Sequence, residues 1–270
     1  MILFAVEVYS DKNVVNAAIA KMNLFLHGAS DFNVMQGDTL RDPKILQGGN
    51  IAKFDCVIAN PPFSLENWGA TEWSSDKYKR NIYGTPSDSC GDYAWIQHMI
   101  CSMVSGQGRM AVVMPQGILF RNQETEIRKQ LVESDLIEAV VTLGDKLFYG
   151  TGLSPCFLII RRMKPAHHSG RILMIDGSKI LTQKRAQNIL EENDIDRLYS
   201  LYQNYSDEED YSRIVTLQEI RDKEYNLSPN RYVVYHKEEI RPYAEVLAEF
   251  KHAYEEVKRL EEEFSLLINA

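Results

Sequence analysis

The stretch Phe54-Asp55-Cys56-Val57-Ile58-Ala59-Asn60-Pro61-Pro62-Phe63 constrains this chain more than any other. An apolar run of strand character stops at Asn60. Two consecutive prolines then forbid both further pairing and helix, because neither carries an N–H and each fixes its own φ. The sequence therefore demands a stiff turn at a strand's carboxyl end, the place where open α/β sheets bind ligands. That turn carries an amide side chain, an exposed carbonyl and an aromatic ring. An extruded nucleobase with an exocyclic amine needs that set: acceptors for two N–H bonds and a flat face to stack against.

On either side of this turn, strand-like and helix-like runs alternate. Ile2 to Val8 reads as a buried strand, and Val14 to His27 as a helix that Gly28 can cap. Phe32 to Met35 is a short strand leading into Gly37-Asp38-Thr39-Leu40. A polar loop rich in Trp, Tyr, Gly and Ser spans residues 64–89. Tyr93 to Val104 has the pattern of an apolar helix, Met110 to Met114 of a strand, Gln123 to Glu133 of a charged helix, and Leu136 to Leu143 of another strand. Cys156 to Arg161 and Ile172 to Ile175 follow without long helices between them. The alternation predicts an α/β fold built on a doubly wound sheet, and the short late connections predict an antiparallel edge.

Composition adds limits rather than identity. The 270 residues suffice for one large domain and an appendage, with ordinary apolar and charged content. No apolar run approaches a membrane span, and no signal peptide opens the sequence. Cys56, Cys90, Cys101 and Cys156 lack metal-ligand spacing, and no metal is expected. Cys56 and Cys156 read as buried thiols of a reducing cytoplasm. The net charge of −8 does not favour DNA, so any basic surface must be local or supplied by a partner.

Asn60-Pro61-Pro62-Phe63 resembles the catalytic motif of amino-group DNA methyltransferases. The motif alone leaves open a methyltransferase acting on glutamine amides, or a plain proline turn. The longer pattern is more specific. Lys21 to Gly28, Gly37 to Leu40, the Asn60 turn, Gly108 to Gly117, Leu119-Phe120-Arg121, Glu126 to Leu131, Leu147 to Gly152 and Tyr225 to Tyr232 resemble, in order, the modification subunit of type I restriction–modification systems.

That resemblance implies a Rossmann-like class I methyltransferase sheet and transfer of a methyl group from S-adenosyl-L-methionine to the N6 amine of adenine in double-stranded DNA. It also implies work beside a DNA-specificity subunit and a restriction subunit. Residue by residue, it makes Asn60, Pro61, Pro62 and Phe63 catalytic. Asn60 and the Pro61 carbonyl would hold the adenine amine, Pro62 would stiffen the turn and Phe63 would stack on the base. Glu7, Asp38, Thr39 and Asn60 would contact the cofactor, Asp38 at its adenine and Glu7 at its ribose. On local grounds, acidic residues after strands are as readily helix caps or solvated turns.

One departure from the family matters. A glycine-rich cofactor loop normally precedes the strand bearing Glu7, and nothing like it stands here. The expectation is therefore a sheet lacking its first strand, whose two neighbours either close up or are bridged by another chain. The organisation expected is an incomplete catalytic domain over 1–177, a mixed segment over 178–235 and an amphipathic helix over 236–270. This chain by itself is expected to be inactive. Two alternatives stand beside that reading: a non-catalytic remnant that binds the specificity subunit, and a different amino or amide methyltransferase.

Minor candidates divide similarly. Lys77, Lys79 and Arg80, interleaved with Trp68, Trp73, Tyr78 and Tyr83, suit either a DNA-contacting loop or ordinary surface. His167-His168 reads as a solvated loop. Gly150-Thr151-Gly152 suits either an approach to the target base or ordinary loop geometry. Leu247, Phe250, Tyr254, Val257, Phe264 and Ile268 form an apolar stripe at steps of three and four, which must bury against its own domain or a partner helix.

Overall fold

Runs of Val, Ile, Met and Leu bounded by Gly, Pro and Asp become strands, and the 3.6-period runs between them become helices. A computed structural model describes residues 6–9, 14–29, 31–148, 152–185, 187–236 and 243–268. In order, the elements are β1 (Val6–Tyr9), α1 (Val14–Leu26), β2 (Val34–Gly37), β3 (Leu46–Gln47), β4 (Asn50–Ile51), β5 (Cys56–Ala59), α2 (Ala70–Ser74) and α3 (Asp92–Cys101). They continue as β6 (Arg109–Pro115), α4 (Thr125–Glu133), β7 (Ile137–Leu143), β8 (Pro155–Arg161) and β9 (Arg171–Gly177). The last are α5 (Glu192–Asn204), β10 (Ser212–Thr216), α6 (Leu217–Asp222) and α7 (Tyr243–Ile268).

Six strands form one mixed sheet in the order β10-β9-β7-β8-β6-β5. β5 runs parallel to β6, and β7 parallel to β9. β8 is antiparallel to both of its neighbours, and β10 is antiparallel to β9 at the edge. The antiparallel edge expected among residues 136–143, 156–161 and 172–175 does not form there: β8 is antiparallel but lies inside the sheet, and the antiparallel edge is β10, beyond those segments. Residues alternate between two buried faces. Met110, Val112, Met114, Val140, Leu158 and Met174 pack with α3 and α4 on one side. Ala139, Val141, Leu143, Leu173 and Ile175 pack with Leu198, Leu201 and Tyr202 of α5 on the other.

β1 and β2 stand apart as a parallel pair, in register from Val6–Val34 to Tyr9–Gly37. Ala17, Ala20 and Leu24 of α1 cover them together with Val34 and Phe32. Among the described residues β1 does not pair with β5, so the neighbours of the expected gap have not closed up. β5 is left as a sheet edge, with Ile58 67% exposed. Val15, Ile19, Met22, Phe25 and Leu26 of α1 are exposed as well.

The chain divides into two units, Met1–Tyr235 and His236–Ala270. The segment 178–235 belongs to the first of these: α5 covers one sheet face and β10 extends the sheet. The second unit holds α7, whose stripe of Phe250, Tyr254, Val257, Leu260 and Phe264 is exposed. All four cysteines are free; Cys90 and Cys156 are buried, while Cys56 is only partly so. Among the described residues no helix is long and apolar enough to cross a membrane.

Candidate active site

Asn60 is the first residue past β5, on the carboxyl side of a strand whose parallel neighbour β6 ends at Pro115. Its side chain is exposed, whereas Pro61 behind it is buried and Pro62 and Phe63 are half-buried. Among the described residues no donor takes the Pro61 carbonyl, and no group engages the Asn60 amide. The two acceptors expected to hold an amine are therefore presented without internal partners. The Phe63 ring meets Phe148 edge-on, with centroids 6.2 Å apart and planes at 84°. Phe148 lies on the loop after β7, so two aromatic rings from different elements stand beside the turn. Gly150 and Thr151 of that loop lie outside the described residues.

The turn is held from behind by a buried carboxylate. Ser64 has a φ of 50°, and its N–H donates to Asp92 Oδ1 at 2.8 Å. Asp92 is the first residue of α3 and is 0% exposed. Its other oxygen accepts from Arg121 Nη2 at 2.5 Å and from the Cys90 thiol at 3.2 Å. Arg121 also donates from Nε to Glu124 at 2.9 Å. Burial pushes the Cys90 thiol up to about 12, so it serves as a donor rather than a nucleophile. Burial likewise raises the Glu124 carboxyl. Cys90, Asp92 and Glu124 cluster as metal ligands would, and the guanidinium of Arg121 is the cation that bridges the two carboxylates. The sequence assigned this cluster no role: Arg121 stood only within the family pattern, Cys90 only among four scattered cysteines, and a glycine-preceded aspartate at a helix start reads as an ordinary first-turn acid.

Asp38 follows β2 directly. Its Oδ1 accepts the N–H groups of Leu40 at 3.1 Å and Arg41 at 3.0 Å, so one carboxylate oxygen closes its own turn. That turn is fastened to the rest of the site by two arginines. Arg41 donates to the carbonyl of Asn67, four residues past Phe63. Arg80 donates to the carbonyls of Thr39 and Leu40, each at 2.7 Å. Thr39 itself is buried. Glu7 is the second residue of β1, its backbone in register with Met35; its side chain lies outside the described residues. The structure thus ties the Asp38 turn to the loop that leaves the Asn60 turn.

Arg80 is not a surface cation. It is 1% exposed, pairs with Asp76 at 2.7 Å and lies 4.5 Å from the Trp73 ring centroid. Trp68 and Trp73 are buried against each other. Of the suspected aromatic–basic loop, only Lys77 and Lys79 are exposed cations. Burial would raise the Asp76 carboxyl, but the bonds from Arg80 outweigh it and hold it below its ordinary value. The reading of His168 as solvated is also corrected. It is buried, its Nδ1 is 3.1 Å from Glu138, and its ring stacks on Tyr205. Its neighbour in sequence gives no hint, since only the fold brings Glu138 and Tyr205 to it.

The family model described as N-6 DNA Methylase matches residues 5–240. The chain belongs to that family. A methylase subunit of the MjaVII type I restriction enzyme from Methanocaldococcus jannaschii is 36% identical over 94% of this chain and 45% of its own length. The HindI methylase subunit of Haemophilus influenzae is 29% identical over 84% of this chain and 52% of its own length. This member of the N-6 DNA methylase family thus spans about half the length of the curated relatives it matches. Among solved structures, a type I restriction–modification methyltransferase subunit from Streptococcus thermophilus superimposes with a TM-score of 0.74 at 28% identity, over 82% of this chain and 47% of that one. The EcoKI M protein, at 19% identity and a TM-score of 0.60, shares the fold; the match covers 97% of this chain and 60% of that protein.

Proposed function

We propose that this chain is the catalytic part of an adenine-N6 DNA methyltransferase of a type I restriction–modification system. The observation that carries the reading is the Asn60–Phe63 turn: an exposed amide and an unengaged carbonyl at the carboxyl end of a parallel strand, with Phe63 and Phe148 beside them. A target base reaches such a turn by leaving the duplex stack. Asn60 and the Pro61 carbonyl accept from its two N6–H groups, which favours the tetrahedral nitrogen over its conjugated planar form. Phe63 stacks on the ring.

S-adenosyl-L-methionine supplies an electrophilic methyl group when bound. Asn60 and the Pro61 carbonyl would hold the amine with its lone pair toward that methyl group, and the proton released as the methyl changes from sulfur to nitrogen would leave to water. Neither a metal nor a strong base is required, so alignment supplies much of the rate. The residues present fit the nucleoside end of that cofactor. Asp38 offers a half-exposed carboxylate on the turn fastened to the catalytic loop, and Glu7 follows one strand over. Thr39 acts through its tethered backbone.

The natural partners under this reading are duplex DNA, a DNA-specificity subunit and a restriction subunit. The exposed stripe of α7 suits a bundle with helices of the specificity subunit. The decisive experiment reconstitutes the assembled enzyme with Asn60→Ala. Methyl transfer should vanish while DNA affinity changes little; a variant that still methylates adenine overturns the role of Asn60.

A further inference from the structure

The segment Tyr225–Tyr232 is part of the family pattern, yet nothing in the reaction above uses it. In the fold it bends back over the segment that follows β6. Leu227 N donates to the Leu119 carbonyl at 2.9 Å, Arg128 Nε to the Tyr225 carbonyl at 2.8 Å, and Tyr225 Oη to Glu133 at 2.9 Å. Between the two segments lies an open cavity of about 430 Å³. Phe120, Asn122, Arg128, Lys223, Asn230 and Arg231 line it, with Glu224 as the single acidic side chain.

The lining has a definite chemistry. Three cations face one carboxylate, on a chain whose net charge is −8. Arg128 is buried, and its hydrogen-bond partners are all neutral: the carbonyls of Ile118, Arg121 and Tyr225 and the hydroxyl of Thr125. Its charge is therefore oriented rather than cancelled. Lys223 donates to the Arg231 carbonyl and sits over the Tyr232 ring, which fixes its ammonium group at the rim. Arg231 and Asn230 are exposed at the surface of the cavity. Phe120 offers an exposed ring. Cations suit a phosphodiester, a flat ring suits a base face, and asparagine amides can both donate to and accept from a base edge.

The segment that forms the cavity leaves the carboxyl end of β6, the parallel neighbour of β5. Arg121 links the two places: its carbonyl accepts from Arg128 at 2.9 Å, and its guanidinium holds the Asp92 that supports the Asn60 turn. We infer that this cavity seats a nucleotide of the DNA strand near the target base, its phosphate against Lys223 and Arg231 and its base toward Phe120. The inference rests on the DNA-methyltransferase reading above.

The test is fluorescence anisotropy of the 270-residue chain with a labelled 20-base-pair duplex across a salt series. Each lost phosphate contact lowers the slope of log K against log salt by about 0.9. Lys223→Gln/Arg231→Gln, which together hold one phosphate, should therefore reduce the slope by about 0.9 and the affinity by roughly tenfold or more. Lys53→Gln/Arg109→Gln makes the same charge change at the amino ends of β5 and β6 and should leave both unchanged. Phe120→Ala should weaken binding about tenfold without altering the slope, since stacking carries no charge.

Equal losses in the two double variants, or an unaltered slope in the first, overturn the inference. So does full displacement of the duplex by inorganic phosphate at matched ionic strength, which would mark an anion site only. Failure of the underlying reading looks different: the slopes shift as expected, yet Asn60→Ala still transfers methyl in the assembled enzyme. Complete absence of duplex binding by the unmodified chain at low salt overturns the cavity assignment and leaves the Asn60 assay to judge the reaction.

Discussion

The Asp92 carboxylate accepts the Ser64 N–H at 2.8 Å, one residue beyond the ring of Phe63. A single buried acid on α3 thereby sets where the Asn60 turn ends, and Arg121 and Cys90 occupy its other oxygen. Asp92→Ala leaves the Ser64 N–H without its acceptor and the Arg121 guanidinium with Glu124 alone. Breaking one partner of a buried ion pair costs about 3–5 kcal/mol. A displacement of about 1 Å at the reacting groups can cost on the order of a hundredfold in rate. The expected outcome is a large fall in methyl transfer by the assembled enzyme with DNA affinity retained, and a lower denaturation midpoint. Asp92→Asn keeps an acceptor for Ser64 and should fall between the two. A wild-type rate in Asp92→Ala would show that the turn holds its shape without this bond.

Arg80 is the second fastening. It gathers the carbonyls of Thr39 and Leu40, the carboxylate of Asp76 and the face of Trp73 into one buried cluster. Arg80→Lys keeps the charge but loses the planar fork that reaches several acceptors at once, so it is not a conservative change here. Thermal unfolding should show a loss of about 3–5 kcal/mol for Arg80→Ala, a shift on the order of 10 °C for a domain of this size. Arg80→Lys should recover less than half of it. A melting curve unchanged by either substitution contradicts the structural role.

His168 gives the expected pH response. Burial lowers its pKa below the ordinary histidine value, an effect the Glu138 bond opposes and the nearby His167 and Arg161 reinforce. Glu138 also accepts from Arg161 at 3.2 Å and from Tyr202 at 2.7 Å, so its charge is shared. With the folded pKa depressed, the unfolded chain binds the proton more readily in the interval below about 6.5. Stability is then complete above that value and is lost as pH falls through the interval. Chemical denaturation between pH 7.5 and 5 should show this decline, and His168→Gln should flatten it. An equally steep decline in the variant would assign the effect to other groups.

Cofactor binding by this chain is expected to be weak. Asp38 and Glu7 sit on a β1–β2 pair that no described hydrogen-bonded ladder joins to β5, so the Arg41 and Arg80 bonds, rather than a continuous sheet, hold the two halves of the site together. Charge-assisted bonds to backbone N–H groups are worth about 1.5–3 kcal/mol each. A site without two of them binds roughly a hundredfold more weakly or worse. Calorimetry of S-adenosyl-L-methionine with the isolated chain should give no micromolar association, and Asp38→Ala should reduce whatever signal remains. Micromolar binding would mean that the nucleoside end alone suffices.

What was legible in the sequence followed from local rules. The Asn60 turn was visible because two prolines leave the backbone almost no choice, and the strands because apolar runs end at Gly, Pro or Asp. The stripe on α7 was visible from its spacing. Long-range pairing was not: Asp92 reaches Ser64 across 28 residues and Arg80 reaches Thr39 across 41. His168 looked solvated because the glutamate and tyrosine that bury it lie on β7 and just past α5. The interior place of antiparallel β8 likewise depends on which neighbours close over it, and no local pattern records that.

The separation of the β1–β2 pair from the six-stranded sheet bears on how the protein opens. The pair has four residues per strand in register and is tied to the rest through the Arg80 and Arg41 bonds rather than through a ladder. Units of that kind exchange their amide hydrogens by local opening, well below the free energy needed to open a central sheet. Amides of Val34 to Gly37 should therefore exchange far sooner than those of Val140 or Leu158, which lie between paired strands. A ligand that touches both Asp38 and Asn60 would close that difference, because it stabilises only the docked state. Slowed exchange at Met35 and Gln36 would then serve as a gauge of occupancy, read from the backbone of a strand the ligand never needs to touch.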